Sequence, residues 1–203
     1  TSSEADIVVN FNEEPTVASV GSDQNYCDGL ISGSLGGNTP TIGVGSWSQQ
    51  SGPGTTTFND INAGTSNAAV TDYGTYFYRW TITNGTCVSS DDITVNFNQN
   101  PFSYAGADDN ICGGGNYTVT GSNSANGSIV WSTNGNGTFD DNTIDNPTYN
   151  FGIGESGIIT FTKTVENPVC SSASDDMTLT FTQEPIANAG IGGNECGLDF
   201  NLS

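Results

Sequence analysis

Three stretches of this chain are versions of one another. Residues 5–27 read ADIVVNFNEEPTVASVGSDQNYC, residues 91–112 read DDITVNFNQNPFSYAGADDNIC, and residues 175–196 read DDMTLTFTQEPIANAGIGGNEC. Each has an acidic start, an alternating run, a proline, a small-residue segment and a cysteine. Pro15, Pro101 and Pro185 mark a period of about 85 residues, and Cys27, Cys112 and Cys196 keep it. A fixed period constrains the architecture more than any local pattern does. With the prolines as seams, the chain divides into the end of one repeat (1–14), two full repeats (15–100 and 101–184) and the start of another (185–203). It reads as a window on a longer polypeptide, whose targeting signals lie outside it.

Inside a repeat the apolar spacing is that of strands. Ile7, Val9 and Phe11 alternate with Asp6, Val8 and Asn10, and Tyr76, Tyr78, Trp80 and Ile82 fall on one face of a strand. In the first repeat strands are expected at 16–21, 29–35, 44–50, 55–58, 68–71, 76–83 and 93–97, separated by turns rich in Gly, Asn, Ser and Pro. The second repeat follows in register. Trp131 answers Trp47, and Ile159, Phe161 and Val165 answer Tyr76, Tyr78 and Ile82. Lys163 stands where the first repeat has Trp80, which suggests that this position lies at the end of the core. No segment has helical periodicity. The fold class expected is all-β, with tandem immunoglobulin-like sandwiches of about seven strands each. Asp72-Tyr73-Gly74-Thr75-Tyr76 fits the turn that opens the sixth strand of such domains, with the tyrosine hydroxyl bonded to nearby backbone. The second repeat has Glu155-Ser156-Gly157-Ile158-Ile159 there, which keeps the turn and loses the hydroxyl.

Charge removes several function classes. There are 22 acidic and 2 basic side chains, a net charge of −20, and no histidine. Neutralising nucleic-acid phosphates or anionic lipid needs clustered Lys and Arg. No run approaches the ~20 apolar residues of a membrane span. Carboxylates are so abundant that chance pairs are expected, and none sits in an evident apolar pocket that would tune it for catalysis. The chain is therefore read as no enzyme.

The five cysteines make sense once the period is imposed. Each full repeat holds two, so the expected disulfides are Cys27 with Cys87 and Cys112 with Cys170, leaving Cys196 for a partner in the next repeat. Each pair would join two loops at one pole of a sandwich. Closing about 60 residues stabilises by roughly 4 kcal/mol in the chain-entropy model, and such bonds belong to an oxidising compartment. A metal site lacks CxxC spacing and histidine, and a catalytic thiol lacks its base. No cofactor is required. Ca²⁺ at the acidic clusters beside the seams, Asp91-Asp92, Asp108-Asp109 and Asp175-Asp176, remains an open alternative to plain solvated turns. Trp47 and Trp131 are expected in the core, against the alternative of sugar-stacking platforms.

The segments from Val20-Gly21-Ser22-Asp23 to Cys27, from Ala105-Gly106-Ala107-Asp108 to Cys112, and from Ala189-Gly190 to Cys196 resemble the A-G-x-D-x-x-x-C start of PKD/immunoglobulin-like repeats. Gly45-Ser46-Trp47, Gly52-Pro53-Gly54, the run from Tyr78 to Cys87 and Asn146-Pro147-Thr148-Tyr149 are similar to that family too. Such repeats build very large surface proteins of Bacteroidetes. The resemblance implies a segment of a cell-surface adhesin filament, exported by the type IX secretion system and serving adhesion and gliding motility at the exterior of the outer membrane. Its implied partners are neighbouring repeats, an extracellular surface or polysaccharide reached through other parts of the protein, and the motility or secretion machinery of the cell envelope. The alternatives are a spacer array in a secreted polysaccharide-degrading enzyme, and a carbohydrate-binding module, which needs solvent-facing aromatics.

Overall fold

The computed structural model describes residues 7, 9, 11–182 and 184, and they form an all-β protein. Two compact units are present: Thr1–Pro101 with Asn167–Ser172, and Phe102–Glu166 with Ala173–Ser203. The seam at Pro185, Cys196 and the rest of the third copy from Pro185 onward lie outside the described residues.

In the first unit the strands are β1 (Gln24–Cys27), β2 (Val44–Ser51), β3 (Thr56–Phe58), β4 (Ala68–Val70), β5 (Gly74–Asn84) and β6 (Cys87–Asn98). One sheet has the order β1-β6-β5-β2, with β1 parallel to β6 and the other pairs antiparallel. The second layer is the β3-β4 hairpin, extended by a bridge between Ile31 and Ala69. The period-2 face read from the sequence is the one buried: Tyr76, Tyr78, Trp80 and Ile82 are fully enclosed. Aromatic rings join the layers. Phe58 lies 6.3 Å from Trp47 and 5.4 Å from Tyr78, centroid to centroid.

In the second unit the strands are β7 (Phe102–Tyr104), β8 (Asp109–Cys112), β9 (Asn116–Thr118), β10 (Asn123–Ala125), β11 (Ser128–Thr133), β12 (Thr138–Phe139), β13 (Thr148–Asn150), β14 (Gly157–Glu166) and β15 (Ala173–Thr182). The sheet β11-β14-β15-β8 repeats the first unit's main sheet, again with a parallel β8–β15 pair. It is joined by β12-β13-β9 and the short pair β10-β7. The core gathers Trp131, Tyr149, Ile159, Phe161, Met177 and Leu179.

Several expectations change. Residues 16–21 form no strand, because three consecutive N–H groups in their middle go to side chains instead of a ladder: Ala18 to Ser89 Oγ, Ser19 to Asn38 Oδ1 and Val20 to Asp91 Oδ2. Ile7, Val9 and Phe11 are exposed and belong to no strand. The strand expected at 93–97 begins at Cys87, and β5 and β6 pair without interruption down to Asn84 and Cys87.

Lys163 is the sharpest correction. It sits inside the core, at 0% exposure, and not at its end. Trp131 faces Lys163 where Trp47 faces Trp80, and a second position changes with it. Gly45 can carry no side chain in the first unit, because a Cβ there would lie 2.0 Å from the Trp80 ring. The matching position in the second unit is Ile129, packed on the core beside the slimmer lysine. Gly45→Ala is expected to lower stability by about 2 kcal/mol through overpacking, read as a drop in urea midpoint at unchanged slope. An unchanged midpoint would mean that the indole can move aside.

Candidate functional site

The four cysteines of the two full repeats are not arranged in pairs within repeats. Cys27 ends β1 opposite Asn98, the last residue of β6, while Cys87 is the first residue of β6. Eleven strand steps separate them, about 36 Å at ~3.3 Å per residue, and a disulfide needs Cα atoms within ~7 Å. Cys112 likewise lies opposite Thr182 at the end of β15, whereas Cys170 precedes the start of that strand at Ala173. The expected Cys27–Cys87 and Cys112–Cys170 bonds are thus replaced. Cys27 is bonded to Cys170, with Cα atoms 5.7 Å apart and a sequence separation of 143. Asn167 Oδ1 accepts from the backbone N–H groups of Val169 and Cys170 and shapes the loop that presents this cysteine. Cys87 and Cys112 are thiols, the first half-buried and the second exposed.

The acidic pairs act as backbone clamps. Asp91 Oδ2 accepts from Val20 N, and Asp175 Oδ2, one period on, accepts from Ala105 N. Asp23 Oδ1 accepts from Thr94 N, and Asp108 Oδ1 from Thr178 N. The aspartate of the A-G-x-D segment therefore fixes the start of the parallel strand to its neighbour. Asp92 is taken by Arg79 in an exposed bidentate pair, and Asp109 accepts from the Tyr117 hydroxyl. Among the described residues no three acidic, histidine or cysteine side chains converge as a group that could hold a metal ion.

These clamps carry a pH signature. The Thr178 backbone N–H, helped by the threonine hydroxyl, holds the Asp108 carboxyl below the usual range against a smaller upward effect of desolvation. A depressed folded-state pKa gives stability that is present above the unfolded value and lost as pH falls through the folded one. The difference in melting midpoint between the native chain and Asp108→Asn should therefore be constant above about pH 5 and close below the usual carboxylate range. A difference that stays open in acid would show that the charge is irrelevant to the clamp.

The tyrosine turn is present in the first unit. Tyr76 donates its hydroxyl hydrogen to Asp72 O and accepts from Gly54 N. The second unit recovers the lost hydroxyl from another strand. Gly137 N donates to the Tyr149 hydroxyl, which donates in turn to Glu155 Oε1. Glu155, itself buried, also accepts from Asn136 N and Gly152 N. Burial, then the Glu155 bond, pushes the Tyr149 hydroxyl pKa up. Trp47 and Trp131 are 1% and 2% exposed, each donating its indole N–H to a backbone carbonyl, at Ala63 and Ile144. They are core residues, and the sugar-stacking alternative has no platform in them.

Among the described residues, the cluster with unusual chemistry is the one around Lys163, and the sequence reading missed it. The ammonium is fully enclosed and donates to Asp145 Oδ1, with Ser122 Oγ at 3.2 Å and Tyr104 O at 3.5 Å. Trp131 presents its ring face 5.6 Å from the charge. Ser124 Oγ also donates to Asp145 Oδ1. Desolvation pushes the Asp145 carboxyl up, but the Lys163 and Ser124 bonds with the ammonium charge bring it below the usual range. A lone lysine in register with a core tryptophan was the available signal, since a buried ammonium requires an acid nearby.

No protein-family model matches the chain, and no curated protein matches it. Among solved structures, extracellular domains 3–5 of Drosophila OTK align with TM-score 0.55 at 13% identity, over 81% of this chain and 62% of that one. The chain thus spans somewhat under two thirds of that structure. The DIP-gamma IG1+IG2 structure aligns with TM-score 0.45 at 11% identity, over 85% and 99% of the two chains. The PKD domain from the KIAA 1837 protein aligns with TM-score 0.35 at 15% identity, over 45% and 93%. At 13% identity the OTK likeness shows the fold alone: the chain is built of immunoglobulin-like β-sandwich domains.

Proposed function

We propose that this chain is a structural segment of an extracellular adhesion protein, a run of tandem sandwiches whose task is to extend and hold. The observation that carries the reading is that the polar groups with chemical potential are used inside the repeats. The aspartates clamp strands, the tyrosine hydroxyls and Glu155 close turns, and the lysine is enclosed with its acid. The disulfide supports an oxidising, extracytoplasmic location. The acidic surface favours solubility and disfavours self-association. On the family resemblance, the segment belongs to a long surface filament exported by the type IX system and engaged in gliding, with recognition carried by other parts of the protein.

The test is the mass and location of the native polypeptide. A single chain of many hundreds of kilodaltons on the cell surface, unchanged by reductant, with loss of surface adhesion when its gene is disrupted, is the expected result. A secreted chain of one or two hundred kilodaltons with hydrolase activity would replace it with the enzyme-spacer reading.

A further inference from the structure

We infer that Cys87 and Cys112 are the open positions of a disulfide ladder, in which the strand-end cysteine of each repeat bonds to the hairpin cysteine of the repeat after it. The bond observed here, Cys27 to Cys170, is one rung. Cys27 is the strand-end cysteine of the first repeat, and Cys170 follows β14 of the second. By period, Cys112 is the next strand-end cysteine and Cys87 the preceding hairpin cysteine.

Three observations support the equivalence. At the strand ends, the residue after each cysteine is left-handed, Asp28 at φ 55° and Gly113 at φ 70°. Each of these two residues donates its N–H to the last residue of the facing strand: Asp28 to Asn98 O and Gly113 to Thr182 O, both at 2.9 Å. Cys112 is therefore held as Cys27 is held. At the hairpin end, Asn12 is the counterpart of Asn98, and Asn98 is the residue that lies opposite Cys27. Asn12 Nδ2 reaches Thr86 Oγ1, the neighbour of Cys87, at 3.4 Å, and Asn84 Nδ2 donates to Glu13 O. A strand-end cysteine opposite Asn12 would thus arrive beside Cys87. Finally, Cys87 lines a surface recess with Pro15, Val17 and Val88, where the two valines are 77% and 61% exposed. Two exposed valines beside a half-buried thiol leave room for a partner cysteine to seat there. The two hairpins differ in detail. The first closes tightly through Gly85, whereas the second opens into residues 167–172.

The chemistry is thiol–disulfide exchange. The two thiols lose two protons and two electrons to the disulfide of a protein disulfide donor, which leaves as its dithiol.

The proposal is tested on the native polypeptide. Free thiols are alkylated under denaturing conditions without reductant, and disulfide-linked peptides are mapped after cleavage at acidic residues. The expected result is a Cys27–Cys170 peptide, a Cys112 peptide linked to the hairpin cysteine of the following repeat, and no label on Cys87 or Cys112. A Cys27–Cys87 or Cys112–Cys170 peptide, or label on Cys112, overturns it. Thiol titration of the 203-residue chain by itself is an independent check. With two of five cysteines bonded it should show three thiols per chain, and pairing within repeats would show one. Neither readout depends on adhesion, so the functional reading and the ladder can fail separately.

Discussion

Cys170→Ser should lower the unfolding midpoint of the 203-residue chain by roughly 10–20 °C, while Cys87→Ser leaves it unchanged. The bond removed closes a loop of 143 residues, which in the chain-entropy model is worth ~5 kcal/mol. For a chain of this size each kcal/mol moves the midpoint by about 2–4 °C. Reductant should bring the native chain down to the Cys170→Ser value and leave the variant where it is. Equal losses from the two serine variants would mean that Cys87 is bonded after all, and that the strand register between Cys27 and Asn98 is not the one populated in solution.

The second large effect is at the enclosed lysine. Asp145→Ala leaves an ammonium at 0% exposure with a serine and a carbonyl for company. Removing one member of a buried pair costs about 3–5 kcal/mol. Asp145 itself is 40% exposed, so about 2–3 kcal/mol is expected here. Lys163→Met removes the charge and keeps the volume, and should fall within about 1 kcal/mol of the native chain. The order matters more than the sizes: losing the acid must hurt more than losing the base. The pairing of Gly45 with Trp80, and of Ile129 with Lys163, gives a further check. Lys163→Trp alone should be strongly destabilising, and adding Ile129→Gly should recover much of the loss, a coupling that a double-mutant cycle reads directly. If Asp145→Ala is no worse than Lys163→Met, the ion pair is not what keeps the lysine inside.

The sandwich was legible because its signals are local and repeated. Tyr76, Tyr78, Trp80 and Ile82 alternate, and the alternation recurs one period later. The tyrosine turn and the aspartate of the A-G-x-D segment have fixed short offsets that survive in one dimension. The disulfide pairing was not legible, and the reason is one of register. The segment 87–92, with two serines and two aspartates, has the composition of a loop, yet β6 begins at Cys87. Reading it as a loop shortened the strand by half and brought Cys87 to the wrong pole. Lys163 misled for a related reason. Sequence gives its place on the inward face but not the acid that makes burial tolerable, because Asp145 comes from a loop 18 residues earlier whose path no periodicity describes. The Tyr149 and Glu155 pair was hidden in the same way, since the hydroxyl returns from β13 and not from the strand that lost it.

The span of the Cys27–Cys170 bond also sets an order of events during biosynthesis. At ~5–20 residues per second, Cys170 is made about 7–29 s after Cys27, and Cys87 appears well before it. The earliest partner for Cys27 is therefore the wrong one. Once β1, β5 and β6 have paired, that wrong partner stands a full strand length away, and the misbonded form is out of reach. Folding of the first sandwich is in this sense the proofreading step, and the oxidant must come second. An exported chain that meets a strong thiol oxidant while still unfolded would be trapped with Cys27 tied to Cys87. The same sequence oxidised after its strands have closed would not.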